Sequence, residues 1–194
     1  MAVAHRAFLA VFLAVFLAGA AALAATIAHA QPPSIGDPAG IIVLMRHAEA
    51  PGNFDPPGFR LGDCATQRTL DDGGRAQARR IGEGLRALGI RQARVLSSQW
   101  CRCLETARLL DLGPVEELPA LNSFVRDREA GVERVAAVRR FLQALPAGGA
   151  PVVLVTHQVT VTALTGVHPS SGESVLLRAN GTGEPAVLGR YPAP

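Results

Sequence analysis

The sequence predicts a single α/β domain built on a mostly parallel central sheet flanked by helices. Two continuous apolar runs rich in β-branched residues, 41–45 and 151–156, have the pattern of strands buried on both faces. Segments with helical periodicity alternate with strand-like ones along the chain, which is the order of a parallel sheet with crossover helices. The length of 194 residues fits one such domain even after the first thirty are set aside.

The elements follow in order. Ile41, Ile42, Val43, Leu44 and Met45 form the first strand, ending in the polar pair Arg46 and His47. Residues 50–67 carry Pro51, Gly52, Pro56, Pro57, Gly58 and Gly62, and are expected to lack regular structure. Asp71 or Asp72 caps a helix to about Leu88, with Ala78, Ile81, Leu85 and Leu88 on one face and Gly89 closing it. A strand over 93–96 leads to Ser97 and Ser98, then a helix over 101–110 and a short strand over 115–118. A helix over 129–145 precedes the second apolar strand, which ends in Thr156 and His157, and a short helix runs to about Leu164. The turn Asn180-Gly181-Thr182-Gly183 joins strands over 173–179 and 186–190 in a closing hairpin.

The N-terminus is of a different kind. A basic start at Arg6, an apolar run from Ala7 to Leu17 and an exit through Ala28-His29-Ala30 before Pro32 and Pro33 make residues 1–30 a signal peptide, cleaved after Ala30. A short linker, 31–40, is expected to precede the catalytic domain over 41–194. The alternative is an uncleaved anchor, the one route by which the chain would meet a membrane. The expected location is therefore periplasmic or secreted. The 19 basic residues are all Arg, and a net charge of +3 is too small and too dispersed to indicate nucleic acid binding. An oxidising compartment permits one disulfide among the three cysteines, Cys64 with Cys101 or Cys103. Zinc is disfavoured because no His stands at ligand spacing.

In open α/β sheets, ligands bind outside the carboxyl ends of the strands. The strand ends Arg46-His47, Ser97-Ser98 with nearby Arg102, and Thr156-His157 should therefore meet in space. A neutral imidazole is a nucleophile, and guanidinium forks match phosphoryl oxygens, so the convergence of two His with two Arg indicates phosphoryl chemistry. His168, in a Val-His-Pro-Ser-Ser loop, reads as a solvated residue.

These residues resemble a known family. Arg46-His47-Ala48 resembles the Arg-His-Gly motif of the histidine phosphatase (phosphoglycerate mutase-like) superfamily, with Ala48 in the Gly place. Leu70-Asp71-Asp72-Gly73-Gly74-Arg75-Ala76-Gln77-Ala78 is similar to its Leu-Thr-x-x-Gly-x-x-Gln-Ala helix start, and the segment from Ser97 through Arg102 to Thr106-Ala107 to its Ser-Ser-x-x-x-Arg-x-x-x-Thr-Ala. His157 stands where the family's second His follows a strand. The resemblance spans 41 to about 166 and implies a small exported bacterial-type member. It also implies His47 as the phosphorylated nucleophile, a phosphate pocket of Arg46, Arg102 and His157, and no metal or other cofactor.

The resemblance further suggests phosphate or substrate contacts from Asn53, Ser123 and Gln158, with Arg60 added from the loop over 53–68. That loop also carries Phe54, Phe59 and Arg68 and is the expected substrate lid. Trp100 and Phe124 either wall the pocket or belong to the core. Both acids used by the family are missing, since Ser123 follows Leu121-Asn122 where a Glu is expected and Gln158 follows the second His where an Asp is expected. Glu49 is the candidate general acid, ahead of Glu116, Glu117, Asp127 and Glu129. A weak acid, or none, would favour substrates with good leaving groups such as phosphoramidates, anhydrides or aryl phosphates. The expected partner is a small phosphorylated substrate or a phosphorylated envelope component. The alternative to a phosphatase is a non-catalytic phospho-ligand binding protein on the same fold.

Overall fold

A computed structural model describes residues 35–192. The proposed signal peptide and its cleavage site lie outside the described residues. Six strands form one sheet in the order β3-β2-β4-β1-β5-β6, with β1 at Ile41–Arg46, β2 at Arg94–Ser97, β3 at Val115–Glu117, β4 at Val152–Thr156, β5 at Ser174–Arg178 and β6 at Ala186–Tyr191. The four strands β3, β2, β4 and β1 run parallel, while β5 and β6 are antiparallel. The expected closing hairpin is therefore present and extends the sheet.

Alternation along the strands divides the core. Ile41, Val43 and Met45 of β1, with Val153 and Val155 of β4, pack against α1 (Asp72–Ala87) and α2 (Cys101–Leu109) through Ile81, Leu85, Cys103 and Ala107. Ile42 and Leu44, with Val152 and Leu154, face α3 (Arg128–Gln143) and α4 (Gln158–Thr165) through Val138, Leu142 and Val161. Helices on both faces explain why these strands are apolar throughout. The loop over 50–67 holds one 3-10 turn, Cys64–Thr66, where no regular structure was expected. Nor is the end of the expected linker free of the domain. Ile35 is buried, and the Arg178 guanidinium donates to the carbonyls of Ile35 and Ala39.

Two local devices fix the chain beside the end of β1. Asp71 caps α1 by accepting from the Gly74 amide at 2.7 Å. Gly74 also brings the first turn of α1 against the loop after His47, so closely that a Cβ there would lie 2.0 Å from the Glu49 carbonyl oxygen. Only glycine permits that approach without moving backbone. Gly74→Ala should therefore cost about 1–3 kcal/mol through overpacking. It should also displace the His47–Glu49 segment, the loss of stability being read from a urea melt. Wild-type stability in the variant would show that the loop yields freely.

Candidate active site

Because β1, β4 and β2 are neighbours and parallel, their carboxyl ends open into one cavity of about 270 Å³. It is lined by Arg46 and His47 from β1, His157 after β4, and Trp100 and Arg102 at the start of α2. The three strand ends singled out in the sequence do converge.

His47 is held by short-range bonds. Thr106 Oγ1 accepts from the Ala48 amide at 3.1 Å and donates to the Arg102 carbonyl at 2.7 Å, so it tethers the peptide after His47 to α2. His47 Nδ1 lies 2.7 Å from the Ala48 carbonyl oxygen, which makes Nδ1 the protonated nitrogen. Nε2 is left unprotonated, and its lone pair accepts from Arg102 Nε at 3.1 Å. Burial, then the charges of Arg102 and Arg46, push the His47 imidazole down from its ordinary 6.5 to about 3. It is therefore the neutral, nucleophilic form at physiological pH.

His157 is oriented from the opposite side. Its Nε2 lies 2.9 Å from Ser98 Oγ, which donates to Asn122 Oδ1 at 3.1 Å. Asn122 Oδ1 also accepts from the Gln99 amide, so the end of β2 and the segment after Leu121 lock together behind the ring. Nδ1 faces the cavity, 3.4 Å from Arg102 Nη2. Burial and then the positive surroundings hold His157 well below its ordinary range. A phosphoryl dianion would reverse the second of these causes and favour a proton on Nδ1.

The guanidiniums carry the clearest sign of a ligand. Arg46 Nε and Arg68 Nε are buried and have no hydrogen-bond partner among the described residues. Arg46 Nη1 reaches the Pro169 carbonyl and Arg68 Nη1 the Ala50 carbonyl, so both side chains are fixed in the wall of the cavity. A buried donor without an acceptor is costly.

Asn53, Ser123 and Gln158 line the cavity, as does Asp127. Arg60 does not: its side chain is 69% exposed and pairs with Asp63 within the same loop. Glu49 is exposed and outside the lining, its amide donating to Gln77 Oε1. Adjacency in sequence to His47 turned Glu49 outward because the strand had already ended. Glu116 pairs with Arg94, and Glu117 accepts from Gln99, both away from the pocket. Glu129 is exposed in the first turn of α3, and His168 is exposed in its loop. Trp100 is both core and wall, whereas Phe124 packs on Gly131 outside the lining.

The loop over 53–68 is tied to the start of α2 by one of the two expected bridges. Cys64 is bridged to Cys101, and Gln67 Oε1 accepts from the Cys101 amide at 3.0 Å. Cys103 is the buried free thiol, raised to about 12 chiefly by burial. Asp55 was not singled out in the sequence, yet it forms a buried ion pair with Arg102 at 2.8 Å. Its signal was composition alone, one carboxylate in a loop of Pro and Gly. Arg126 and Arg134 also line the cavity and were not anticipated.

Fold and site together define an α/β pocket at the carboxyl ends of parallel strands, with an unprotonated imidazole nitrogen set among guanidiniums. Residues 42–124 match the model of the histidine phosphatase superfamily (branch 1). No protein of curated function matches it in sequence. Among solved structures it is similar to the protein histidine phosphatase SixA complexed with tungstate, at 22% identity and TM-score 0.59, covering 79% of this chain and 97% of that one. The mycobacterial glucosyl-3-phosphoglycerate phosphatase complexed with VO3 is 17% identical with TM-score 0.56, covering 78% and 99%. A Thermus thermophilus protein is 22% identical with TM-score 0.53, covering 78% and 99%. At such identities the likeness concerns the fold.

The depressed His residues have a consequence for stability. In the unfolded chain both imidazoles take up protons below about 6.5, whereas His47 in the fold does so only near 3. The unfolded state then binds more protons across that window, so stability should fall as pH is lowered through it. Urea melts at pH 7.5 and 5 should show this loss, with a shallower dependence in His47→Ala. An unchanged slope in the variant would remove His47 as a source.

Proposed function

We propose that the protein is an exported phosphatase that transfers a phosphoryl group to His47 Nε2 and hydrolyses the resulting phosphohistidine. The observation that carries this reading is the set of guanidiniums of Arg46, Arg68 and Arg102 lining one cavity with His47, whose unprotonated Nε2 accepts from Arg102 Nε. The phosphoryl oxygens would take those donors and the Arg102 fork, which leaves His47 Nε2 to attack in line. Fixed positive charge around the transferring group stabilises its transition state without reorganisation. His157 Nδ1, protonated as the dianion enters, adds a further donor. The positive charge in this route comes from arginine, so no metal is required.

The substrate is a small phosphomonoester, phosphoramidate or similar compound, or a phosphorylated envelope component. Export is supported by the basic, apolar and small-residue pattern of residues 1–30 and by the Cys64–Cys101 bridge, which suits an oxidising compartment. Expressed with its full N-terminus in a host with a periplasm, the protein should appear there beginning at Gln31. A cytoplasmic, full-length product would overturn export.

The catalytic reading is tested by trapping. Rapid quench with p-nitrophenyl phosphate should yield a base-stable, acid-labile phosphoprotein in wild type and none in His47→Ala. Arg102→Ala should lose about 100-fold or more in kcat/KM, the scale of a removed transition-state donor. Phosphate binding with no phosphoprotein and no turnover would favour the binding-protein alternative.

A further inference from the structure

We propose that Asp55 is the general acid of this site, supplying from the lid loop the proton donor absent at Ser123 and Gln158. The inference rests on the phosphatase reading above and concerns which group serves the leaving oxygen.

The Asp55 side chain is only 11% exposed and lines the cavity. Its Oδ1 accepts from Arg102 Nη1 at 2.8 Å and from the Arg68 amide at 3.0 Å, and its Oδ2 from Trp100 Nε1 at 3.0 Å. Arg126 Nη2 donates to its backbone carbonyl at 3.0 Å, so main chain and side chain are both fixed. The same Arg102 guanidinium contacts His47 Nε2 through Nε. His47 Nε2 and the Asp55 carboxylate therefore contact the same guanidinium, at Nε and Nη1 respectively. An in-line transfer needs the nucleophile and the leaving-group acid at opposite ends of the phosphoryl group. Among the described residues the one other carboxylate lining the cavity is Asp127, and its Oδ1 caps α3 at the Ala130 amide.

In the empty pocket Asp55 is ionised. Burial pushes its carboxyl up, but Arg102 and the Arg68 and Trp100 donors outweigh burial and hold it below the usual range. A phosphate group entering the Arg102 fork reverses this balance, because it takes up the compensating charge and adds negative charge nearby. Asp55 then gains a proton, from solvent or from the phosphate monoanion. In the first step the His47 Nε2 lone pair forms the N–P bond. The P–O bond to the leaving group breaks, its electron pair stays on that oxygen, and the oxygen takes the Asp55 proton. In the second step a water oxygen attacks phosphorus while the Asp55 carboxylate accepts the water proton. The P–N bond breaks, its pair returns to Nε2, and phosphate leaves. An acid in this position removes the restriction to good leaving groups that the missing Glu and Asp suggested.

The test is a leaving-group series. Wild type should hydrolyse an alkyl phosphate and p-nitrophenyl phosphate with kcat/KM values within about tenfold, because a protonated leaving group depends little on its own acidity. Asp55→Asn, nearly isosteric, should lose about 100-fold or more on the alkyl ester and about tenfold or less on the aryl ester, whose anion leaves without a proton. Equal losses on both esters would make Asp55 a positioning residue for Arg102 and overturn the proposal. So would a gain in activity, or a wild type that already discriminates strongly against the alkyl ester. Absence of any phosphoprotein in wild type would instead defeat the phosphatase reading itself.

Discussion

The guanidinium of Arg102 organises the centre of this molecule. Its Nε meets the nucleophilic nitrogen of His47, its Nη1 the carboxylate of Asp55, and its Nη2 faces Nδ1 of His157. At 5% exposure it is a buried cation, and such a charge persists only where partners surround it. Those partners come from β1, from the loop after it and from the end of β4, so the ion is also what draws these segments together. The apolar sheet beneath supplies stability, while the cation sets the geometry of its upper edge.

An organising charge of this kind also keeps the pocket ready. Two imidazoles beside several guanidiniums would repel one another if protonated, and burial with positive surroundings keeps both neutral instead. Asp55 is the single carboxylate paired with Arg102 in the empty pocket, a stand-in for the charge that a phosphoryl group brings. Exchange of one anion for another on the same fork needs little rearrangement, which suits the transfer proposed above.

Much of this was legible in the sequence. The runs at Ile41 and Val152 gave their strands because both faces are covered, and apolar continuity follows directly from that. Each strand also ended within its polar pair, at Arg46 and at Thr156, which is why Arg46, His47 and His157 could be placed together from order alone. The family resemblance placed Arg102 and His47 in their roles. Glu49 and Arg60 were misjudged because loop residues have no periodicity from which direction can be read. Asp55 was missed for the same reason: only the folded loop, held by Cys64 and Gln67, brings it under Trp100 and onto Arg102. Asn122 and Ser98 support His157 through a contact between segments that no local pattern links.

The position of the three cysteines bears on how the chain reaches this state. Cys101 and Cys103 flank Arg102, so while the chain is unfolded both thiols are about equally available to Cys64. Pairing with Cys103 would draw out the residue that lies under His157, its Sγ 3.5 Å from the ring nitrogen. Once α2 is packed, Cys103 is fully enclosed and its thiol is held protonated, so only Cys101 remains competent to exchange. Packing thus acts as the proofreader of the crosslink: oxidation that outruns collapse invites the wrong bridge, and collapse that comes first leaves one choice.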